Sequence, residues 1–205
     1  TKIRPVFDAK AKYKGQSLND QCLPGPNLIG DLVKILLRFR KNPICLGLDI
    51  REMFLQIGLD EKSARYHRFI WWGPDGKLLL YEFTVHSFGN TGSPAVATFV
   101  LKDTAQESNM TAPRAVEAIV ESSLLDDILD SFETTDEAIQ TLKHLLDILH
   151  SCGFVGHKFS SNSLDVLSLV PEEDRAKDLG MSPSLDPNLP TIKVLGLLFC
   201  SKDDR

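Results

Sequence analysis

Three aspartates are the residues in this chain around which chemistry could be built. Asp126 and Asp127 sit between the apolar pairs Leu124-Leu125 and Ile128-Leu129, flanked by Ser122-Ser123 and Asp130-Ser131. An apolar run that meets two acids and then resumes reads as a β-hairpin with carboxylates at its turn. Clustered acids are unfavourable unless a cation compensates them. A third acid, Asp49, stands near the end of the apolar run Ile44-Cys45-Leu46-Gly47-Leu48-Asp49-Ile50. Three carboxylates converging on one sheet edge would make a divalent-metal site of the kind that transfers phosphoryl or nucleotidyl groups. Without a cation, their crowding should raise at least one of their pKa values.

The elements that must position them follow from periodicity. Residues 3–8 read as a short strand and 9–27 as a loop rich in Lys, Gly, Asn and Pro. From Asn27 as N-cap, Leu28, Leu32, Ile35, Leu36 and Phe39 recur at helical spacing, and Asn42-Pro43 ends the helix. Residues 44–49 lack alternation and read as a strand buried on both faces, and 51–57 as a helical turn or two. Gly73-Pro74-Asp75-Gly76 joins strands 66–72 and 77–85 into a hairpin. Ser93 and Pro94 suit the N-cap and first position of a helix reaching about Ala105. A loop over 106–114 and a short helix over 115–121 precede the acidic hairpin. Thr134 and Glu137 form a capping-box pair opening a helix with Ile139, Leu142, Leu145, Leu146 and Leu149 on one face, stopped by Gly153. Residues 154–159 read as a strand, 171–190 as a Pro-rich excursion, and 191–200 as a strand with Gly196 in its middle. The order is α+β, with a split βαβ core around an antiparallel sheet.

Composition narrows the class. The chain has 205 residues, 42% of them hydrophobic and 25% charged, as in ordinary globular domains. No run of eighteen apolar residues exists, so no membrane contact is expected. Cys22, Cys45, Cys152 and Cys200 are scattered without metal-ligand spacing, which suits a reducing compartment. A zinc cluster of His150, Cys152 and His157 is disfavoured because no CxxC partner exists. The net charge is −5, yet residues 1–102 carry 15 Lys and Arg against 9 Asp and Glu, and residues 103–205 carry 8 against 19. That asymmetry is compatible with a cationic polyanion-binding part beside an acidic metal-binding part, and equally with solvated surface charge. With no initiator Met, the chain reads as an excerpt from a longer polypeptide.

The motifs Asp49-Ile50-x-x-Met53-Phe54, Phe88-Gly89-x-x-Gly92-Ser93-Pro94-Ala95 and Asp126-Asp127 come in the order and spacing of reverse transcriptases. The framing Arg4-Pro5-Val6-Phe7-Asp8, Ser17-Leu18-Asn19, Gly25-Pro26-Asn27, Ser161-Asn162 and Val194-Leu195-Gly196 looks most like the BEL/Pao class of LTR retrotransposons. The resemblance implies the fingers (about 1–43 and 58–90) and palm (about 44–57 and 91–205) of a right-hand polymerase, without thumb or RNase H domain.

What the resemblance implies for the site is specific. Asp49, Asp126, Asp127 and Lys158 would be catalytic, with Lys158 as proton donor to pyrophosphate. Asp49, Ile50, Asp126 and Asp127 would hold two Mg²⁺ or Mn²⁺ ions. Arg4 resembles the arginine that binds the incoming triphosphate, and Glu52 and Met53 would offer main-chain N–H groups to its phosphates. Phe54 matches the aromatic under the deoxyribose, although core packing explains a Phe equally well. Phe88 and Gly89 resemble the loop that positions the template, where many members carry Gln in place of Phe88. Leu195-Gly196 resembles the primer-grip hairpin. Leu124 departs from the pattern, which has an aromatic there. Implied partners are an RNA/DNA primer-template, dNTPs, and the thumb, RNase H, protease and integrase of the same polyprotein. The implied location is the cytoplasm or virus-like particles. A non-catalytic, decayed or domesticated nucleic-acid-binding module is the alternative. A nuclease or nucleotidyl cyclase is disfavoured by the Phe88–Pro94 loop.

Overall fold

The computed structural model describes residues 7–108, 111–177, 191–195 and 197–200. Arg4, Asn109-Met110 and Gly196 lie outside the described residues, as does most of the strand expected over 3–8; Phe7 and Asp8 are not in a strand. In chain order the elements are α1 (Leu18–Gln21), α2 (Leu32–Phe39), β1 (Ile44–Ile50), a 3-10 turn at Met53–Gln56, α3 (Glu61–Ala64), β2 (Arg68–Trp72) and β3 (Leu78–Glu82). There follow α4 (Ser93–Glu107), α5 (Pro113–Ser122), β4 (Ser123–Leu124), β5 (Asp127–Phe132), α6 (Thr135–Ser151), β6 (Gly156–Ser161), α7 (Leu164–Ser168), a 3-10 turn at Glu172–Asp174, β7 (Thr191–Val194) and β8 (Leu197–Cys200). The class is α+β.

The chain divides into two compact units, Thr1–Asn27 with Glu52–Ala97, and Leu28–Arg51 with Thr98–Arg205. These limits differ from the expected fingers and palm boundaries chiefly at residues 28–43. There Ile35 and Phe39 of α2 are buried with Cys45 of β1 and Leu129 of β5, so α2 belongs with the larger unit.

That unit is built on an antiparallel sheet of order β4-β5-β1-β6. Burying Cys45, Leu46, Leu48 and Ile50 makes β1 a central strand closed on both faces, as its continuous apolar run predicts. Helices α2, α5 and α6 pack against β5. The buried stripe of α6 is Ala138, Thr141, Leu142, Leu145, Ile148 and Leu149, with Ile139 and Leu146 only half-buried. The stripe is therefore rotated slightly from the expected one, taking in Ala138 and Thr141. Thr134 caps α6 by accepting from the Glu137 N–H, but Glu137 accepts from the Glu133 N–H rather than from Thr134, so the capping box is displaced by one residue.

Other expectations are corrected by local chemistry. The N-cap of α2 is Asp31, whose carboxylate accepts from the N–H groups of Val33 and Lys34, and not Asn27. The loop over 9–27 contains α1, closed by a complete capping box of Ser17 and Asp20. The Ser93 hydroxyl donates to the Ser87 carbonyl instead of capping α4. Pro113 starts α5 earlier than the spacing suggests. Residues 191–200 are not one strand but the hairpin β7–β8, turning at Leu195 with φ 48°.

The smaller unit carries the β2–β3 hairpin, paired from Arg68 with Glu82 to Trp72 with Leu78. Its base is an aromatic cluster in which Phe83 meets Phe7 and Phe69. Among the described residues no helix is long and apolar enough to cross a membrane.

Candidate active site

The acidic hairpin is as tight as a hairpin can be. Leu124 pairs with Asp127, leaving Leu125 and Asp126 as the turn, and Leu125 takes φ 54°, a left-handed conformation rare for any residue but glycine. On the other side of β5, Asp127 pairs directly with Asp49 of β1, so the two side chains stand on one face of the sheet. The Ile50 N–H donates to the Asp126 carbonyl at 2.7 Å and ties the turn to the end of β1. Because Leu48 and Ile50 are buried on the opposite face, alternation holds Asp49 outward on the acidic side.

The electrostatics follow from this crowding. Burial pushes the Asp127 carboxyl up to about 6, with the charges of Asp126 and Asp49 adding to the rise. Asp126 is also raised, first by burial and then by the charge of Asp49, against the opposing pull of Lys158 and His157. The expected rise is thus present at two of the three acids.

Asp49 is held differently. Its Oδ2 lies 2.5 Å from Lys158 Nζ and its Oδ1 lies 3.2 Å from His157 Nδ1. His157 Nδ1 also lies 3.1 Å from the Asp49 carbonyl, so an N–H there donates to both acceptors. Lys158, to which the resemblance gives the role of proton donor, forms an ion pair with Asp49. His157 was no candidate for this site on sequence; its only signal is adjacency to Lys158.

The donor set suits a hard divalent cation, since it consists of carboxylate oxygens brought to one sheet edge. Among the described residues, no three His, Cys, Asp or Glu side chains close into a metal-holding group. Asp49 directs its two oxygens to Lys158 and His157 instead. Ile50, with its side chain fully buried, has only its main chain to offer a metal.

Behind the site, the Ser161-Asn162 pair anchors the start of β1. Asn162 Oδ1 accepts from the Cys45 N–H, Asn162 Nδ2 donates to the Pro43 carbonyl, and Ser161 Oγ donates to the Cys45 carbonyl. Leu124 packs against the cluster of Ile35, Phe39, Cys45 and Leu129.

The remaining candidates belong to the smaller unit. Glu52 has φ 50° and leads into the 3-10 turn, and the Met53 side chain is buried. Phe54 and Phe88 meet edge to face, with ring centroids 4.9 Å apart. Gly89 has φ 93°, and a Cβ there would come within 2.4 Å of the Phe7 carbonyl, so both conformation and space require glycine. The loop is clamped by residues not singled out beforehand as functional. Asn19 Nδ2 donates to the Gly89 carbonyl and its Oδ1 accepts from the Thr91 N–H, while Asn90 meets buried His67 at 2.6 Å.

No family model matches the chain, and no curated protein matches it. Solved structures do. The chain is similar to the foamy viral protease-reverse transcriptase in complex with an RNA/DNA hybrid, at 22% identity and a TM-score of 0.55, over 74% of this chain and 18% of that one. It is similar to a dRH form of the same protein in complex with double-stranded DNA, at 21% identity and a TM-score of 0.57, over 75% and 23%. A third neighbour is the selenomethionine-labelled CSH mutant of the prototype foamy virus protein, at 22% identity and a TM-score of 0.54, over 69% and 17%. The fold is reverse-transcriptase-like, and the chain spans less than a quarter of the length of these neighbours.

Proposed function

We propose that this chain is part of an RNA-directed DNA polymerase that adds deoxynucleotides to a primer 3′-hydroxyl, within a BEL/Pao-like retrotransposon polyprotein. The observation that carries the reading is the meeting of Asp49, Asp126 and Asp127 at one end of the β5–β1 pair on a reverse-transcriptase-like fold. Asp49, Asp126 and Asp127, with the main chain of Ile50, would hold two Mg²⁺ or Mn²⁺ ions. Such ions supply Lewis-acid chemistry, acidifying the attacking hydroxyl and neutralising the triphosphate. The chain's own residues do the positioning. The hairpin turn carries Asp126, the β1–β5 register sets Asp127 beside Asp49, and partial burial limits the water around the acids. Glu52, Met53, Phe54, Phe88 and Gly89, with Arg4, would bind the dNTP and template. RNA/DNA primer-template is the proposed partner, supported by the RNA/DNA hybrid that one structural neighbour binds.

Primer extension on poly(rA)·oligo(dT) with Mg²⁺ or Mn²⁺ tests this. Asp49→Asn and Asp126→Asn should each lower extension by about a hundredfold or more, since each removes charge from a site that holds cations. Their melting temperatures should not fall. Equal extension by wild type and both variants would overturn the reading.

One observation favours a second reading, a non-catalytic nucleic-acid-binding module: Leu124 stands where the resemblance has an aromatic and is drawn into the core. Primer-template binding without extension, in wild type and Leu124→Tyr alike, would select it.

A further inference from the structure

The pairing of β1 with β6 is irregular at one place. Gly47 pairs with Ser160 and Asp49 with His157, so Leu48 alone stands against both Phe159 and Lys158. Strand β6 therefore carries a β-bulge, and Lys158 within it takes φ 53°. In a regular strand, successive residues point to opposite faces, and only one of His157 and Lys158 could reach Asp49. A bulge re-aims one side chain. Here the imidazole and the ammonium reach the same carboxylate, one per oxygen. The partners differ in freedom: Lys158 is 61% exposed and His157 only 19%. His157 is further fixed by the Asp49 carbonyl, whereas an exposed ammonium can leave.

We propose that this bulge is a two-part clamp on the first carboxylate, in which His157 is a positioning residue that fixes Asp49 and Lys158 is a resting counter-ion that a divalent cation must displace. The inference rests on the metal-binding reading above and adds how the site is loaded. Divalent binding at Asp49 then competes with an internal ammonium. The Lys158 side chain is released when the ion arrives, without movement of the sheet. An exposed ion pair is weak, so a doubly charged ion can replace it.

The test is Mn²⁺ binding to the 205-residue chain, read from the electron paramagnetic resonance signal of free Mn²⁺. Lys158→Met should tighten Mn²⁺ binding about fivefold, the worth of an exposed ion pair, and Lys158→Arg should stay close to wild type. Asp49→Asn should abolish the gain from Lys158→Met. His157→Asn, whose amide nitrogen replaces Nδ1, should keep wild-type affinity, and His157→Leu should weaken it several-fold. In ¹H–¹⁵N spectra of the lysine ammonium groups, the Lys158 signal, assigned by its loss in Lys158→Arg, should be present without metal and vanish as Mg²⁺ saturates. No gain in Lys158→Met, a gain that persists in the Asp49→Asn background, or an unchanged ammonium signal would overturn the clamp while leaving the metal site standing. Mn²⁺ binding unaffected by both Asp49→Asn and Asp126→Asn would instead remove the metal site, and the clamp with it.

Discussion

Asp127 titrates near neutrality because it is partly buried beside two other acids. The sign of its effect on stability follows. Its pKa is raised from 3.8 in the unfolded chain to about 6 in the folded one, so the folded state favours the protonated form. That contribution is present at low pH and is lost as pH rises through about 6. Asp127→Asn removes the group. In the presence of EDTA, its stability advantage over wild type should open between about pH 4 and 6 and hold above that. The advantage should be on the order of 1–2 kcal/mol at pH 7.5, allowing for partial exposure. Thermal melts across pH 4.5–8 check it. An advantage independent of pH would mean that folding does not raise the Asp127 carboxyl.

At the scale of elements, Arg114 is what ties α5 to β5 and α6. Its guanidinium donates to Asp130 at 2.7 Å, to Glu137 at 3.2 Å and to the Ser131 carbonyl at 3.1 Å, and lies over the Phe132 ring. Asp130 is 3% exposed. Arg114→Ala leaves that buried carboxylate without its ion-pair partner and should cost about 3–5 kcal/mol in urea denaturation. Arg114→Lys should recover part of this, since one ammonium cannot replace the planar fork. Strand β1 has a different vulnerability. A Cβ on Gly47 would meet Ser160 Oγ at 2.7 Å and Leu129 Cδ2 at 3.1 Å. Gly47→Ala should therefore destabilise by about 1–3 kcal/mol through overpacking. It should also lower extension by misplacing Asp49 two residues on. An alanine variant with wild-type stability would show that the strand has slack there.

At the scale of the molecule, the charge divides unevenly between the two units. The smaller unit carries 9 Lys and Arg against 7 Asp and Glu, and the larger one 14 against 21. Early basic residues are drawn onto later acids: Arg38 pairs with Glu117 and Glu121, and Arg51 with Asp174. Nucleic-acid affinity, if it rests on the remaining cations, should still follow counterion release. Affinity for an RNA/DNA primer-template should fall at least about tenfold between 50 and 200 mM salt. Fluorescence anisotropy measures it, and a flat salt dependence would exclude phosphate contacts as its source.

Much of this protein could be read from its sequence because the signals are local. The apolar run of β1, the Gly73–Gly76 turn, the leucine spacing of α6 and the acid pair interrupting an apolar hairpin each act over a few residues, where periodicity and turn chemistry dominate. For the start of α2, Asn27 and Asp31 are both good caps by residue type, and only the folded chain shows the Asp31 carboxylate taking the N–H groups of Val33 and Lys34. Periodicity alone reads 191–200 as one strand, and the hairpin β7–β8 is legible in the sequence only through the resemblance of Leu195-Gly196 to a primer-grip hairpin. The sequence by itself determined which acids are available and that they stand on strands able to meet. Only the tertiary structure decided that Asp49 faces Asp127 across a register and that a bulge in β6 brings His157 and Lys158 together onto Asp49. Register and bulges arise from pairing between segments far apart in the chain, 78 residues from Asp49 to Asp127 and 108 from Asp49 to His157, and no local pattern in either segment specifies that pairing.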